Sequence, residues 1–424
     1  MVREFIYFSF FSIKINMVIQ QISPKHTKIN IDQLSVLSSK KFGLTPFDEQ
    51  TINFAHAFSK GILADKLYSR IPALTSLAFW LRRSNFRKIA KDNLYLTQQP
   101  NVFLSPIGVV FHVCPANVDT MFIYSLMVSL LMGNKNILRI SNRLDHAYIS
   151  FLFTLLNELL AQEDLKIISD YINIVTYDHD IQLNTYFSGV ANARLIWGGD
   201  NTAKIFKNIS SNPRIKDIIF SDRISTAIFK TAVFLTLNLK EQKEVVKNFY
   251  NDAYTFDQKG CSSPQTIFLY GEKSSNTDFE TVFYKLLDEV SDEKYGGDNA
   301  SLASLKFNRL VSDVLEDHVL SFRRDTATLY LVETNSDTLL HTCGGGYFYT
   351  RQVNKLEDIL PFVSTKMQTL SYFGLTHPEL EGIAKMSAGI GIDRIVPIGK
   401  ALDFNYLWDG FNLFEELSSK KVIL

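Results

Sequence analysis

Ser105-Pro-Ile-Gly-Val-Val-Phe-His-Val-Cys-Pro115 is a mostly apolar run bounded by prolines. Such a run lacks an alternating polar face and makes a strand buried on both sides. Beyond it, Thr120–Met132 is apolar all round, which predicts a helix inside a protein core, too short to cross a bilayer. Asp119 or Thr120 can cap its start, and Gly133-Asn134 ends it. Asn136-Ile-Leu-Arg-Ile-Ser141 is a second short strand. Parallel strands need a crossover, and strand, buried helix and strand in this spacing make a βαβ unit.

The alternation runs on. Tyr148–Leu160 reads as helix, Ile172–Val175 as strand, Ile181–Val190 as helix and Ala193–Trp197 as strand, with further short strands at Ile218–Phe220 and Thr226–Phe229. This predicts a doubly wound α/β domain, which takes ligands at the carboxyl ends of its strands. Upstream, residues 20–60 read as polar loop followed by an amphipathic helix around Pro46–Leu63. Leu74–Leu94 has helical spacing, and its basic face is a solvated one. Downstream, Leu239–Tyr250, Thr277–Asp288 and Val353–Met367 read as helices, Leu329–Glu333 as a strand and Gly344-Gly-Gly346 as a turn. A chain of 424 residues exceeds one compact core. The expected division is an N-terminal extension (1–30), a cofactor-binding domain with N-terminal helices (31–240), a catalytic domain (241–375) and a C-terminal segment packing back on the cofactor domain (376–424).

Composition narrows the class of function. Lys+Arg and Asp+Glu both number 44, so nothing points to nucleic acid. Three cysteines make no disulfide framework and suggest a reducing, cytoplasmic setting. Phe5–Ile13 mimics a signal-peptide core, but no small-x-small cleavage site follows, Lys14 interrupts the run, and it is too short to span a bilayer. Met17 is as good a start as Met1.

One stretch offers a nucleophile. In Tyr254-Thr-Phe-Asp-Gln-Lys-Gly-Cys261-Ser-Ser-Pro264, Gly260 suits a sharp turn that pushes Cys261 out of regular structure, and Pro264 ends the turn before a strand. A thiolate attacks acyl carbon well near neutral pH and gives a reactive thioester. A buried structural cysteine would carry the same local signature. Gly198-Gly199, between a strand and a helix and followed by Asp200 and Thr202, can bare backbone amides for a pyrophosphate, or simply turn. Arg139, near the end of the second strand with Ser141 just past it, stands where an arginine can accept a ribose 2′-phosphate, or it is a surface arginine. Asn117 could donate to an oxyanion or serve as a turn residue. His112 in its buried strand and His341 two residues before Cys343 read as structural, and with no second ligand pair no metal is expected.

Together these segments resemble the aldehyde dehydrogenase superfamily, and within it the acyl-CoA reductases, the long-chain fatty acyl reductases of bacterial bioluminescence operons. The resemblance rests on Ser105–Asn117, Leu130–Ser141 with Arg139 where lysine is usual, Ile196–Thr202, Asp257–Gln265, Gly391–Gly399 and Trp408-Asp-Gly410, over about residues 100–415. It implies an aldehyde dehydrogenase-like fold, a Rossmann-type cofactor domain beside a second α/β catalytic domain. It implies NADPH-dependent reduction of a fatty acyl-CoA, or another activated acyl donor such as an acyl-protein, to the aldehyde. Cys261 would carry the acyl group. Asn117 and the Cys261 amide would hold the oxyanion. Gly198, Gly199, Asp200, Thr202, Arg139 and Ser141 would bind NADPH. An acyl-activating synthetase is the implied partner, and a homo-oligomer is compatible with the family. The hydrolytic glutamate of related dehydrogenases has no counterpart in Ile218–Thr226, which agrees with reduction of an intermediate kept from water. Two other readings stay open: a reductase of a short acyl-CoA or acyl phosphate on the same fold, and a non-catalytic subunit that carries an acyl group.

Overall fold

A computed structural model describes residues 17–38, 41–98, 100–115, 118–142, 147–295 and 300–423. Two seven-stranded sheets organise it. The first contains β1 (Val18–Ser23), β2 (Thr27–Asn30), β4 (Val109–Val113), β5 (Lys135–Ile140), β6 (Ile172–Thr176), β7 (Ala193–Trp197) and β8 (Lys216–Phe220), with β3 (Val102–Pro106) lying outside it. Its order is β2-β1-β6-β5-β4-β7-β8. The five strands β4 to β8 run parallel, and β1 and β2 extend the sheet antiparallel. From β4 the chain winds out through β5 to β6, then returns to the other side of β4 for β7. That reversal opens a crevice at the carboxyl ends of β4 and β7.

The central βαβ unit forms as its sequence predicts. The helix Met121–Leu130 is buried along its whole length, because it lies between the sheet and the helices Glu49–Ala64 and Pro72–Trp80 in one apolar cluster. Each large apolar side chain so buried contributes about 1.5–3 kcal/mol before entropy is counted. The amphipathic helix expected around Pro46–Leu63 is present as Glu49–Ala64, but the stretch ahead of it differs from the polar loop expected. Val18–Asn30 forms the β1–β2 hairpin, whose few apolar residues alternate, so that Ile19 is buried while its neighbours Val18 and Gln20 are not. A half-exposed edge hairpin carries too little hydrophobicity to stand out from loop.

The second sheet collects β9 (Ile224–Lys230), β10 (Pro264–Tyr270), β11 (Val319–Arg323), β12 (Tyr330–Thr334), β13 (Tyr347–Val353), β14 (Met367–Phe373) and β15 (Arg394–Pro397), ordered β11-β12-β13-β10-β9-β14-β15. All are parallel except β11. The chain therefore changes sheets between Phe220 and Ile224. The expected helix over Val353–Met367 is only a 3-10 turn, Leu356–Phe362, interrupted by Pro361. The chain's last part returns to the first sheet: β16 (Leu407–Trp408) and β17 (Phe411–Asn412) form a small ribbon, Leu413, Phe414 and Leu417 join the first core, and β18 (Ser418–Val422) pairs with β3. Among the described residues no helix is long and apolar enough to cross a membrane.

Asp252, in the helix Leu239–Tyr254, fastens the turn after β15 by accepting from the backbone amides of Gly399 (2.6 Å) and Ala401 (3.0 Å). Burial pushes its carboxyl from 3.8 up to about 7, against those two hydrogen bonds. A carboxyl raised on folding favours the native state while protonated, and that contribution is lost as pH climbs from about 4 to about 7. The Asp252→Asn variant cannot ionise. Its Tm relative to the native protein should therefore become more favourable by a few degrees across that window and stay level above it, as measured by differential scanning fluorimetry.

Candidate active site

A cavity of about 1010 Å³ opens where the carboxyl ends of the first sheet's strands face the amino ends of the second's. From the first sheet come residues just past β4, β5, β6, β7 and β8. From the second come the loop before β10 and the turn before β13. Cys261, Arg139, Ser141, Gly198, Gly199 and Thr202 all line it. Asn117 lies outside the described residues.

The mount of Cys261 differs from the sequence expectation in an instructive way. Gly260 is not among the residues in the left-handed region; Asp257 (φ 53°) and Gln258 (φ 61°) are. A Cβ at Gly260 would come 3.1 Å from Ser263 Oγ, a tight contact that the hydroxyl would have to yield to. Two successive non-glycine residues in that region cost roughly 1–3 kcal/mol each. The buried side chain of Gln258 offsets this. Its Nε2 donates to the carbonyls of Pro264 (2.9 Å) and Tyr347 (3.0 Å), and its Oε1 accepts from the amides of Gly346 (3.1 Å) and Tyr347 (3.2 Å). The Asp257 carbonyl accepts from Gly345 N at 2.9 Å. The Gly344-Gly-Gly346 turn is thus the other half of the mount. All three glycines have positive φ, and a Cβ on Gly346 would fall 2.1 Å from the Thr328 carbonyl oxygen. Lys306 Nζ, buried, donates to Gly345 O at 2.7 Å and closes the turn from beneath.

Cys261 itself is half-buried, with Gln368 Nε2 3.5 Å from its sulfur. Burial is the main influence raising its thiol pKa, and the Asp409 carboxylate adds to it. Hydrogen bonds from Gln368 and Ser262 and the Arg394 charge pull the other way without reversing it. The other two cysteines line the same cavity. Burial holds Cys114 firmly as a thiol and pushes Cys343 up to about 11. Cys261 is distinguished by the donors aimed at its sulfur.

At the other end, Trp197 stacks on Phe220 with ring centres 3.9 Å apart. Its Nε1 donates to Ser125 Oγ at 3.0 Å. Ser125 Oγ is 2.8 Å from His112 Nδ1, and His112 Nε2 is 3.0 Å from Asn136 Oδ1. Asn136 Nδ2 already donates to Asn134 O, so its Oδ1 must accept from His112 Nε2–H. Ser125 then donates to Nδ1 while accepting from the indole. Burial lowers the His112 pKa to about 4, which keeps the ring neutral and this chain of donors in one direction. His112 is therefore structural, as expected, and it steadies the tryptophan before Gly198-Gly199. A Cβ on Gly198 would lie 2.9 Å from Thr202 Cβ, so a side chain there would force a shift, and one on Gly199 would crowd Asp222 Oδ2 at 3.0 Å. Asp200 does not line the cavity; its carboxylate pairs with Lys366 Nζ at 2.6 Å. Arg139 lies over the Tyr177 ring at 5.2 Å, and its buried Nε has no hydrogen-bond partner among the described residues. Missed by sequence reasoning were Gln258, Asp222, Gln368 and the charges Arg223, Arg394 and Asp409. Gln258, Asp222, Arg223, Arg394 and Asp409 fall inside segments quoted for the resemblance but were given no role there, and Gln368 lies in none of them.

The profile of the acyl-CoA reductase (LuxC) family matches residues 43–420. Similar solved structures include an aldehyde dehydrogenase from Brucella melitensis biovar abortus 2308 (TM-score 0.63, 12% identity, covering 96% of this chain and 93% of that one). The NAD+ complex of an aldehyde dehydrogenase from Bacillus cereus is another (TM-score 0.62, 12% identity, covering 92% and 87%). Lactaldehyde dehydrogenase from Escherichia coli is a third (TM-score 0.60, 12% identity, covering 89% and 86%). At such identities the likeness establishes an aldehyde dehydrogenase-like fold. No curated protein sequence matches significantly.

Replacing Gln258 by Leu removes four buried hydrogen bonds to the backbone of Pro264, Gly346 and Tyr347. Stability in urea should fall by roughly 3 kcal/mol, and proteolytic cleavage should appear first within residues 255–263.

Proposed function

We propose that this chain, which belongs to the acyl-CoA reductase (LuxC) family and is an oxidoreductase of aldehyde chemistry, reduces a fatty acyl-CoA or similarly activated acyl group to the aldehyde through a thioester on Cys261, with NADPH. The observation that carries this reading is one cavity shared by the Cys261 mount and the Arg139–Gly198–Gly199 wall. The groups present suit a phosphorylated dinucleotide. Gly198 and Gly199 leave the turn before the helix Asp200–Asn208 without side chains. Arg139 offers a buried Nε with no partner among the described residues, a donor that a 2′-phosphate would satisfy. Ser141 and Thr202 add hydroxyls to the same wall.

Cys261 Sγ attacks the acyl carbonyl carbon. A carbon–sulfur bond forms to the enzyme, the bond to the donor's sulfur breaks, and the proton leaves with the departing thiol. Asn117 and the Cys261 backbone amide hold the oxyanion of this step and of the hemithioacetal that follows. NADPH, when bound, supplies the hydride. As the hemithioacetal collapses, the carbonyl reforms, the sulfur takes back its electron pair and the aldehyde is released. Water must not compete for the thioester. The one carboxylate in the Ile218–Thr226 stretch that lines the cavity, Asp222, already accepts from Asp200 N at 3.0 Å as a helix cap. That commitment disfavours its use as a hydrolytic base and supports reduction over oxidation to the acid.

Radiolabelled long-chain acyl-CoA should label the native protein, and the Cys261→Ala variant should take no label while still binding NADPH; label on that variant would refute the assignment. Arg139→Ala should raise the NADPH dissociation constant about tenfold or more, with NADH changed much less, in a fluorescence titration. Equal losses for both cofactors would remove Arg139 from the 2′-phosphate role. NADPH oxidation against a ladder of acyl-CoAs, with acyl phosphates beside them, separates fatty from short-chain reductase.

A further inference from the structure

Gln368, the second residue of β14, is fully buried and reaches the Cys261 sulfur from a strand that is no part of its mount. Its amide touches three groups. Oε1 accepts from Ser262 Oγ at 3.0 Å, Nε2 donates to Asp409 Oδ1, and the same nitrogen lies 3.5 Å from Cys261 Sγ. An ionised carboxylate only accepts, so Asp409 requires the NH2 end of the amide on its side, and the serine hydroxyl then meets the oxygen end. The second N–H is left for the sulfur. Each neighbour is itself held. Ser262 Oγ accepts from Arg394 Nη1 at 3.4 Å, and the Arg394 guanidinium lies 5.1 Å over the Trp408 ring. Asp409 Oδ2 is 3.4 Å from Arg223 Nη1, and Arg223 also pairs with Asp393. Asp409 (φ 49°) and Gly410 (φ 77°) form the two-residue turn between β16 and β17, a position an Asp-Gly pair suits, and the turn fixes where the carboxylate stands.

We infer that Gln368 is the hydrogen-bond donor that stabilises the Cys261 thiolate, with Asp409 and Ser262 fixing the direction of its amide. The inference rests on Cys261 being the thioester-forming residue. The sulfur carries negative charge twice: on losing its proton to attack, and when the carbon–sulfur bond of the hemithioacetal breaks and the electron pair returns to it. Both times the charge forms beside the Asp409 carboxylate, which opposes it. The charged and titratable groups that act on the sulfur are Asp409, Arg394 and the Tyr124 phenol. Arg394 favours the thiolate across Ser262, whereas Gln368 supplies a donor in direct reach. Being neutral, the amide can lie between two negative groups and donate one N–H to each.

The test is the pH dependence of Cys261 carbamoylmethylation by iodoacetamide, read at that residue by mass spectrometry. In the Gln368→Leu variant the inflection should move up by about one unit, and acylation by acyl-CoA at pH 7 should slow about tenfold, with NADPH binding unchanged. Ser262→Ala, which loosens the amide without removing it and also takes away the serine's own hydroxyl near the sulfur, should move the inflection the same way by less. A folded Gln368→Leu protein with the native inflection overturns the inference. Should that variant not fold, an unmoved inflection in Ser262→Ala overturns it instead. Alkylation needs no acyl donor, so the two readings fail separately. A native Cys261 that takes no acyl label sinks the thioester mechanism, whereas normal acylation with an unmoved inflection sinks only the role of Gln368.

Discussion

The amide of Gln258 is the joint on which the cavity depends. It fixes a loop that no local preference would hold, because Asp257 and Gln258 both occupy left-handed backbone without being glycine. Four buried hydrogen bonds, at about 0.5–1.5 kcal/mol each, are comparable with the roughly 1–3 kcal/mol that each strained residue costs. The balance is close, so the loop is defined only while the glycine turn before β13 is in place to receive it. This explains why three glycines at positive φ stand in succession there. The backbone of the turn has to approach Thr328, Tyr254 and Asp257 more closely than any side chain would permit.

The two sheets offer the cavity different chemistry because they meet it with opposite strand ends. The first presents carboxyl ends, where loops run into helix amino termini and suit anionic groups. The second presents amino ends, where the residues entering β10, β14 and β15 bring side chains rather than backbone dipoles to bear on one sulfur. Around that sulfur the effects are unequal. Burial dominates and keeps the resting group a thiol. Gln368, Ser262 and Arg394 offset part of it. That arrangement suits a nucleophile needed only with an acyl group beside it, since a permanent thiolate would be open to oxidation and alkylation.

Much of the first sheet was legible in the sequence for a physical reason. Strands buried on both faces and a helix buried all round, such as Val109–Val113 and Met121–Leu130, leave continuous apolar runs that chain order alone reveals. The edge hairpin β1–β2 leaves no such run. The site divided in the same way. Cys261, Gly198, Gly199 and Arg139 sit in local patterns with chemical meaning, and the fold brings them to one cavity. Gly260 was assigned backbone freedom that Asp257 and Gln258 in fact take up, because sequence shows which residue tolerates strain but not where a tertiary clamp will impose it. Gln368 and Asp409 lie 107 and 148 residues from Cys261 in sequence. A glutamine in an apolar strand carries no local mark of the carboxylate it will meet.

The crossing between the sheets, Ser221-Asp222-Arg223, bears on both ends of the cavity. Asp222 accepts from the first amide of the helix after Gly199, while its carbonyl accepts from Lys366 Nζ, which also holds Asp200. Arg223, the next residue, turns toward the Cys261 side of the cavity and joins Asp393 to Asp409. Adjacent side chains on an extended backbone point to opposite sides. Two consecutive residues on one short link can therefore face one element each, and a shift of this link would disturb the glycine turn and the Asp409–Gln368 contact together. Two groups that react across a cavity must be held about 3–3.5 Å apart, and an error of about 1 Å is costly. Placing both supports on one three-residue crossing keeps the two ends in register without a larger interface between the sheets.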